Sequence, residues 1–162
     1  MTEGARLLGA DWVVPIATPP VRDGAVLLDR DGTVRAVGPR RSLAREGVLE
    51  ERFEGALLPA LVNAHTHLEL AHLAGQVPGG EGLVRWAAQL LGRARPTGTE
   101  TGTAAMAAAR AAVSLGTAAV GDVGNSVAAV PAIDEAGLGG IFFHELLPVP
   151  ARAALAPESL QP

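Results

Sequence analysis

The sequence of 162 residues contains no cysteine, and all 13 of its basic residues are arginine. Without cysteine, neither a disulfide framework nor a thiolate metal site can form. Without lysine, the chain has no side-chain amine on which to build a Schiff base. Aromatic residues make up only 3% of the chain, too few for a platform on which nucleic-acid bases stack. No basic cluster is longer than Pro39-Arg40-Arg41, the net charge is −4 and the pI is near 5.5. That balance argues against nucleic acid or an anionic membrane surface as partner. No apolar run approaches the roughly 18 residues of a spanning helix, and Met1 to Arg6 lacks the charged-then-apolar layout of a secretion signal. A cytoplasmic protein is expected.

What is present is small and apolar: 48% hydrophobic residues and a mean hydropathy of +0.26. The length suits one ordinary domain with one core. The most informative stretch runs from Ala56 to Leu70, Ala-Leu-Leu-Pro-Ala-Leu-Val-Asn-Ala-His-Thr-His-Leu-Glu-Leu. Its apolar run, bounded by Gly55 and Pro59, reads as a buried strand. Side chains alternate along a strand, so His65 and His67 share one face and Thr66 takes the other. At about 3.3 Å per residue their Cα atoms stand roughly 7 Å apart. From there both imidazoles reach one cation at the roughly 2.1 Å of a zinc–nitrogen bond. The pair reads as a metal half-site, with zinc the first expectation and iron an alternative, since imidazole serves both.

Upstream, residues 5–56 read as β-rich. Ala5–Leu8 and Trp12–Ile16 are short strand candidates broken by Gly9 and Pro15. Gly24–Asp29 and Thr33–Gly38 flank Arg30-Asp31-Gly32, and an Asp-Gly pair between two apolar runs signals a hairpin. Ser42–Glu54 is charged and suggests one helical turn. Downstream the pattern becomes α/β. The loop Gly75–Gly82 either closes over a substrate or simply connects. Glu81–Arg95 carries Leu83, Trp86, Ala87, Leu90 and Leu91 on one helix face. Pro96-Thr97-Gly98 punctuates, and Thr99 or Thr101 caps an alanine-rich helix running to Leu115, stopped by Gly116. Gly116–Ser126 reads as strand into helix cap. Helix 126–136 follows, with Pro131 near its first turn and Gly137 at its end. Gly139–Leu147 reads as a third buried strand, and 148–162 as a loosely structured tail.

The Ala56–Leu70 stretch resembles the N-terminal metal motif of the amidohydrolase superfamily, whose members usually read Pro-Gly-Leu-Val-Asn-x-His-x-His-Leu, with Ala60 here in place of the glycine. Together with Val120-Gly121-Asp122-Val123-Gly124-Asn125-Ser126 it is most similar to the branch that deaminates nucleobases, nucleosides and related heterocycles or dechlorinates triazines. The aminodeoxyfutalosine deaminases are one such subgroup. A ring-opening, imidazolonepropionase-like enzyme is the neighbouring alternative. The resemblance implies an α/β fold: the first part of a (β/α)8 TIM barrel over 57–147, preceded over 1–56 by part of a small β-sandwich. It also implies hydrolytic deamination of a small heterocyclic substrate through a metal-activated water. His65 and His67 would be metal ligands; Glu69, Glu145 and His144 candidates for substrate contact; and Asn63 a hydrogen-bond donor behind the ligands. Asp122 is expected as a structural carboxylate at a strand end. His72 is a packing or surface histidine or else a third approach to the metal.

In the family, later strands supply two more histidines, a glutamate acid/base and an aspartate, and some relatives bridge two metals with a carboxylated lysine. None of these is in this sequence, and its catalytic acid/base is therefore unknown. Three strands do not close a barrel of eight, so self-association through an open strand edge is expected. A non-catalytic fragment or interaction subunit that keeps the fold's first half is the alternative from another functional class.

Overall fold

A computed structural model describes residues 4–93 and 98–146. The expectations for Arg95, for Pro96-Thr97 and for the tail beyond Leu146 lie outside those residues. The chain divides into two compact units, Met1–Pro59 and Ala60–Pro162.

The first unit is a four-stranded sheet in the order β3-β2-β1-β4. Its strands are β1 (Arg6–Val13), β2 (Val21–Leu28), β3 (Val34–Pro39) and β4 (Leu49–Leu57), with one helical turn, α1 (Arg40–Leu43), between β3 and β4. The Asp-Gly hairpin forms as expected. Gly32 takes φ +86° and its N–H reaches the Asp29 carbonyl at 3.1 Å, closing the turn between β2 and β3. Two expectations are corrected. Gly9 does not break the first strand; it lies inside β1, where Leu7, Ala10 and Val13 are buried, and pairs with the buried Ala25 of β2. The charged stretch after α1 is mostly the strand β4, parallel to β1. Its charges find partners on neighbouring elements: Arg6 reaches Glu51 at 2.6 Å, Arg40 reaches Glu50 at 3.2 Å, and Arg52 reaches Asp23 at 2.8 Å and Asp11 at 3.1 Å.

The second unit alternates strand and helix, as the sequence pattern requires. Strands β5 (Leu61–Thr66), β6 (Thr117–Gly124) and β7 (Gly139–His144) form a parallel sheet in that order. Between β5 and β6 lie a 3-10 segment (Leu68–Leu73), α2 (Leu83–Leu91) and α3 (Gly98–Ser114). Between β6 and β7 lie a 3-10 turn (Val127–Ala129) and α4 (Val130–Glu135). Ser126 caps the 3-10 turn and Pro131 sits in the first turn of α4, as read from the sequence. The third helix begins one residue before Thr99, so neither Thr99 nor Thr101 is its cap, and Thr101 is instead buried inside it.

The core of this unit explains the alanines. Ala105 and Ala109 of α3 are fully buried against Leu68, Val120, Ala129, Ala132 and Leu138. Small side chains let the helix backbone approach the sheet at native packing density. The outer strands differ from expectation. Leu61 and Val62 of β5 and Ile141 and Phe143 of β7 are half exposed or more, so neither strand is buried. Each flanks β6, which among the described residues is the one strand of this sheet with a strand on both sides.

Candidate metal centre

Parallel strands present their C-terminal ends together, and in α/β folds chemistry collects at that end. Here β5 brings His65 and His67, β6 brings Asp122 and Asn125, and β7 brings His144 and Glu145. His65 lies on the strand. His67 stands just past it, at φ −136° and ψ 72°, where the chain turns into the 3-10 segment. Their rings meet edge to face with centroids 4.9 Å apart, and the two Nε2 atoms are 3.2 Å apart. Two ligands of one tetrahedral zinc, at bonds of roughly 2.1 Å, stand about 3.4 Å from each other. The pair therefore fits a shared cation. Among the described residues no group of three or more histidine, aspartate or glutamate side chains gathers around one point. The fit is that of a two-ligand half-site.

Asn63 accepts a hydrogen bond from the His65 backbone N–H at 3.3 Å, supporting the strand rather than donating to a ring. Asp122 is fully buried, and its Oδ1 accepts from Thr66 Oγ1 at 2.6 Å and from the Leu68 N–H at 2.8 Å. Glu69 is also buried. Its carboxylate accepts from the Asn125 N–H at 2.8 Å, the Ser126 N–H at 3.1 Å and the Ser126 hydroxyl at 2.8 Å. His72 turns back on the same segment, its Nδ1 2.8 Å from the Glu69 carbonyl. His144 places Nε2 3.2 Å from the Asn125 carbonyl and shares a strand face with Phe142. Asn125 in turn donates its side-chain amide to the Glu145 carbonyl at 2.9 Å and carboxylate at 3.3 Å. Sequence reasoning did not single out Asn125 as a site residue. Its position directly after a strand and before a Ser cap was the available signal.

His67, Glu69, His72, Asn125 and Glu145 border a cavity of about 470 Å³, walled on its apolar side by Leu73, Trp86, Leu90 and Leu91. That volume lies within the range of small-molecule sites, about 300–1,000 Å³. His65 and His144 do not border it.

The sequence matches no protein-family model and no curated protein. Solved structures do match. Helicobacter pylori aminofutalosine deaminase, solved with methylthio-coformycin, is similar over 97% of this chain and 41% of its own, at 22% identity and TM-score 0.72. An adenosine deaminase from Xanthomonas campestris with bound zinc is similar over 83% of this chain and 32% of its own, at 26% identity and TM-score 0.60. A guanine deaminase from C. acetobutylicum, solved with guanine in its active site, is similar over 85% of this chain and 35% of its own, at 12% identity and TM-score 0.61. These are amidohydrolase-superfamily deaminases.

The chain has the fold of part of these structures. It spans about two fifths or less of the length of these amidohydrolase relatives. The mixed α/β architecture and its parallel sheet follow the superfamily, and no closed barrel is formed by the described residues. No helix among the described residues is long and apolar enough to cross a membrane.

Proposed function

We propose that this chain is the N-terminal part of a metal-dependent hydrolase that removes an amino group from a nitrogen heterocycle such as a nucleobase or nucleoside. The observation that carries this reading is the 3.2 Å approach of His65 Nε2 and His67 Nε2 at the C-terminal end of a parallel sheet. On this reading the two imidazoles hold one divalent cation, zinc before iron. Such a cation, when bound, supplies Lewis acidity that makes water nucleophilic near neutral pH.

The remaining residues hold and orient. Trp86 and the leucines beside it give a flat apolar surface for one face of a heterocycle. Glu145, anchored by Asn125, offers a carboxylate to ring N–H or amino groups. Glu69 positions Asn125 and Ser126 from below, and Asn63 supports the strand carrying His65. His144 contacts the same Asn125 from the other strand face. The (β/α)8 barrel and the β-sandwich belong to this reading too, as does self-association through the exposed apolar residues of β5 and β7.

A second reading has its own observation: no third ligand joins the histidine pair among the described residues. A two-ligand site binds zinc weakly and yields it to a mild chelator, as a non-catalytic piece of the fold would. Metal content per chain, before and after dialysis against chelator, separates the two. About one tightly held zinc or iron, lost in His65→Ala and His67→Ala, supports the hydrolase reading. Metal that is not retained rejects it in favour of the silent piece.

A further inference from the structure

The 3-10 segment that follows β5 starts at Leu68, and the residue before it, His67, gives it no side-chain cap. The first N–H groups of a helical segment need partners from elsewhere. Leu68 finds its partner on another strand: its N–H donates to Asp122 Oδ1 at 2.8 Å. The same oxygen accepts from the Thr66 hydroxyl at 2.6 Å. One carboxylate oxygen therefore holds the residues on both sides of His67. The β5–β6 ladder is irregular between Asn63 and Thr66, with Thr66 opposite Asp122 in register. The Asp122 bonds thus secure the chain where regular strand pairing gives out.

Asp122 is an expensive choice for simple packing. It is fully buried, and its Oδ2 has no hydrogen-bond partner among the described residues. A buried carboxylate oxygen without a partner is unfavourable, and a Leu or Val would fill the space without that penalty. What an apolar residue cannot do is accept from Thr66 and Leu68 together. We propose that Asp122 is a positioning residue for the His65–His67 pair: it clamps the backbone on either side of His67 and so sets where that imidazole stands. Its hydrogen bonds among the described residues go to Thr66 and Leu68, and it acts through them. This inference rests on reading the two histidines as a metal pair, as partners behind metal ligands commonly tune affinity.

The test titrates zinc chloride into the full chain and its Asp122→Ala, Asp122→Asn and Thr66→Val variants by calorimetry. It also follows the His67 imidazole nitrogen resonances in the metal-free proteins, with circular dichroism melts to verify folding. Asp122→Ala is expected to weaken zinc binding about tenfold or more and to move the His67 Nε2 resonance. Asp122→Asn keeps an acceptor oxygen and is expected to restore both, and Thr66→Val, which loses one of the two bonds, to fall between. A folded Asp122→Ala with unchanged zinc affinity and an unmoved His67 resonance overturns the proposal, as does Asp122→Asn no better than Asp122→Ala. If Asp122→Ala does not fold, Thr66→Val decides alone, and unchanged values for it overturn the clamp. If the unsubstituted chain binds no zinc, the metal reading fails, and the metal-free His67 resonance still decides whether Asp122 positions that ring.

Discussion

Ser126 donates twice to one oxygen of Glu69, through its hydroxyl at 2.8 Å and its backbone N–H at 3.1 Å. With the Asn125 N–H on the other oxygen at 2.8 Å, the buried carboxylate ties the end of β5 to the turn after β6. Removing it takes their carboxylate acceptor from the two Ser126 donors and the Asn125 N–H, at roughly 1–3 kcal/mol for a buried group that loses its bond. Glu69→Ala is expected to lose about 2–3 kcal/mol on that basis, read as a lower urea midpoint with an unchanged denaturant slope. A midpoint equal to that of the unsubstituted chain would mean the three bonds contribute nothing net.

Gly121 of β6 faces β5 so closely that a Cβ there would stand 2.5 Å from the Ala64 carbonyl oxygen. The atoms it would meet are all Ala64 backbone rather than a flexible side chain, so Gly121→Ala must push β5 away from β6. Overpacking of this kind costs about 1–3 kcal/mol. Because Ala64 precedes His65, zinc affinity should fall along with the melting temperature. Loss of stability with zinc affinity intact would show that β5 moves as a rigid piece.

In the first unit, three carboxyls are held below the usual carboxylate pKa. The Gly55 N–H, and then Arg52, lowers Asp11; Arg52, and then Arg40, lowers Asp23. A hydrogen bond with Asp29, then those from Thr33, takes Asp31 from 3.8 to about 2. A depressed folded value stabilises the fold above the unfolded value near 3.8. That stability is lost as the pH falls through the folded value. The loss for Asp31 falls between about 3.8 and about 2. Arg52→Gln takes a partner from both Asp11 and Asp23 and should move the acid transition of Trp12 fluorescence to higher pH. The same transition pH in the variant would count against the network.

Ile16 stands at φ +69°, with the Ala17 N–H bonded to the Pro15 carbonyl at 2.8 Å. That is a tight γ-turn, and a β-branched residue at its centre is strained. Ile16 is 73% exposed, so little burial is lost on replacing it. Ile16→Gly is expected to stabilise the chain by roughly 1 kcal/mol, within the 1–3 kcal/mol of such strain less the added freedom of glycine in the unfolded chain. A lower melting temperature would be the contrary result.

Leu61 and Val62 of β5 and Ile141 and Phe143 of β7 leave apolar surface open. Val62→Thr with Ile141→Thr should lower light scattering at a given concentration, because the patch shrinks while β propensity is kept. Scattering that does not change would place any association elsewhere.

Features that depend on neighbours in sequence were legible in advance. The period of two set His65 and His67 on a common face. Asp31-Gly32 closed a hairpin, Ser126 capped a turn, and Pro131 fell in a first turn, each through bonds spanning only a few residues. Long-range features were not. Ser42–Glu54 reads as a charged stretch with one helical turn because its charges stand out, whereas in the fold Leu49–Leu57 is a strand whose Glu51, Glu50 and Arg52 meet Arg6, Arg40 and Asp23. Asn125 looked like part of a cap until β7 came beside it.

The sequence by itself determined which residue types stand at the strand ends and that two imidazoles face the same way, since strand geometry and turn chemistry are local. Only the tertiary structure decided what holds them. The register of β6 against β5 set Asp122 beneath Thr66 and Leu68, and the crossing of the turn after β6 delivered Asn125 and Ser126 to Glu69. A buried carboxylate takes its role from the donors that surround it, and those donors lie more than fifty residues away along the chain.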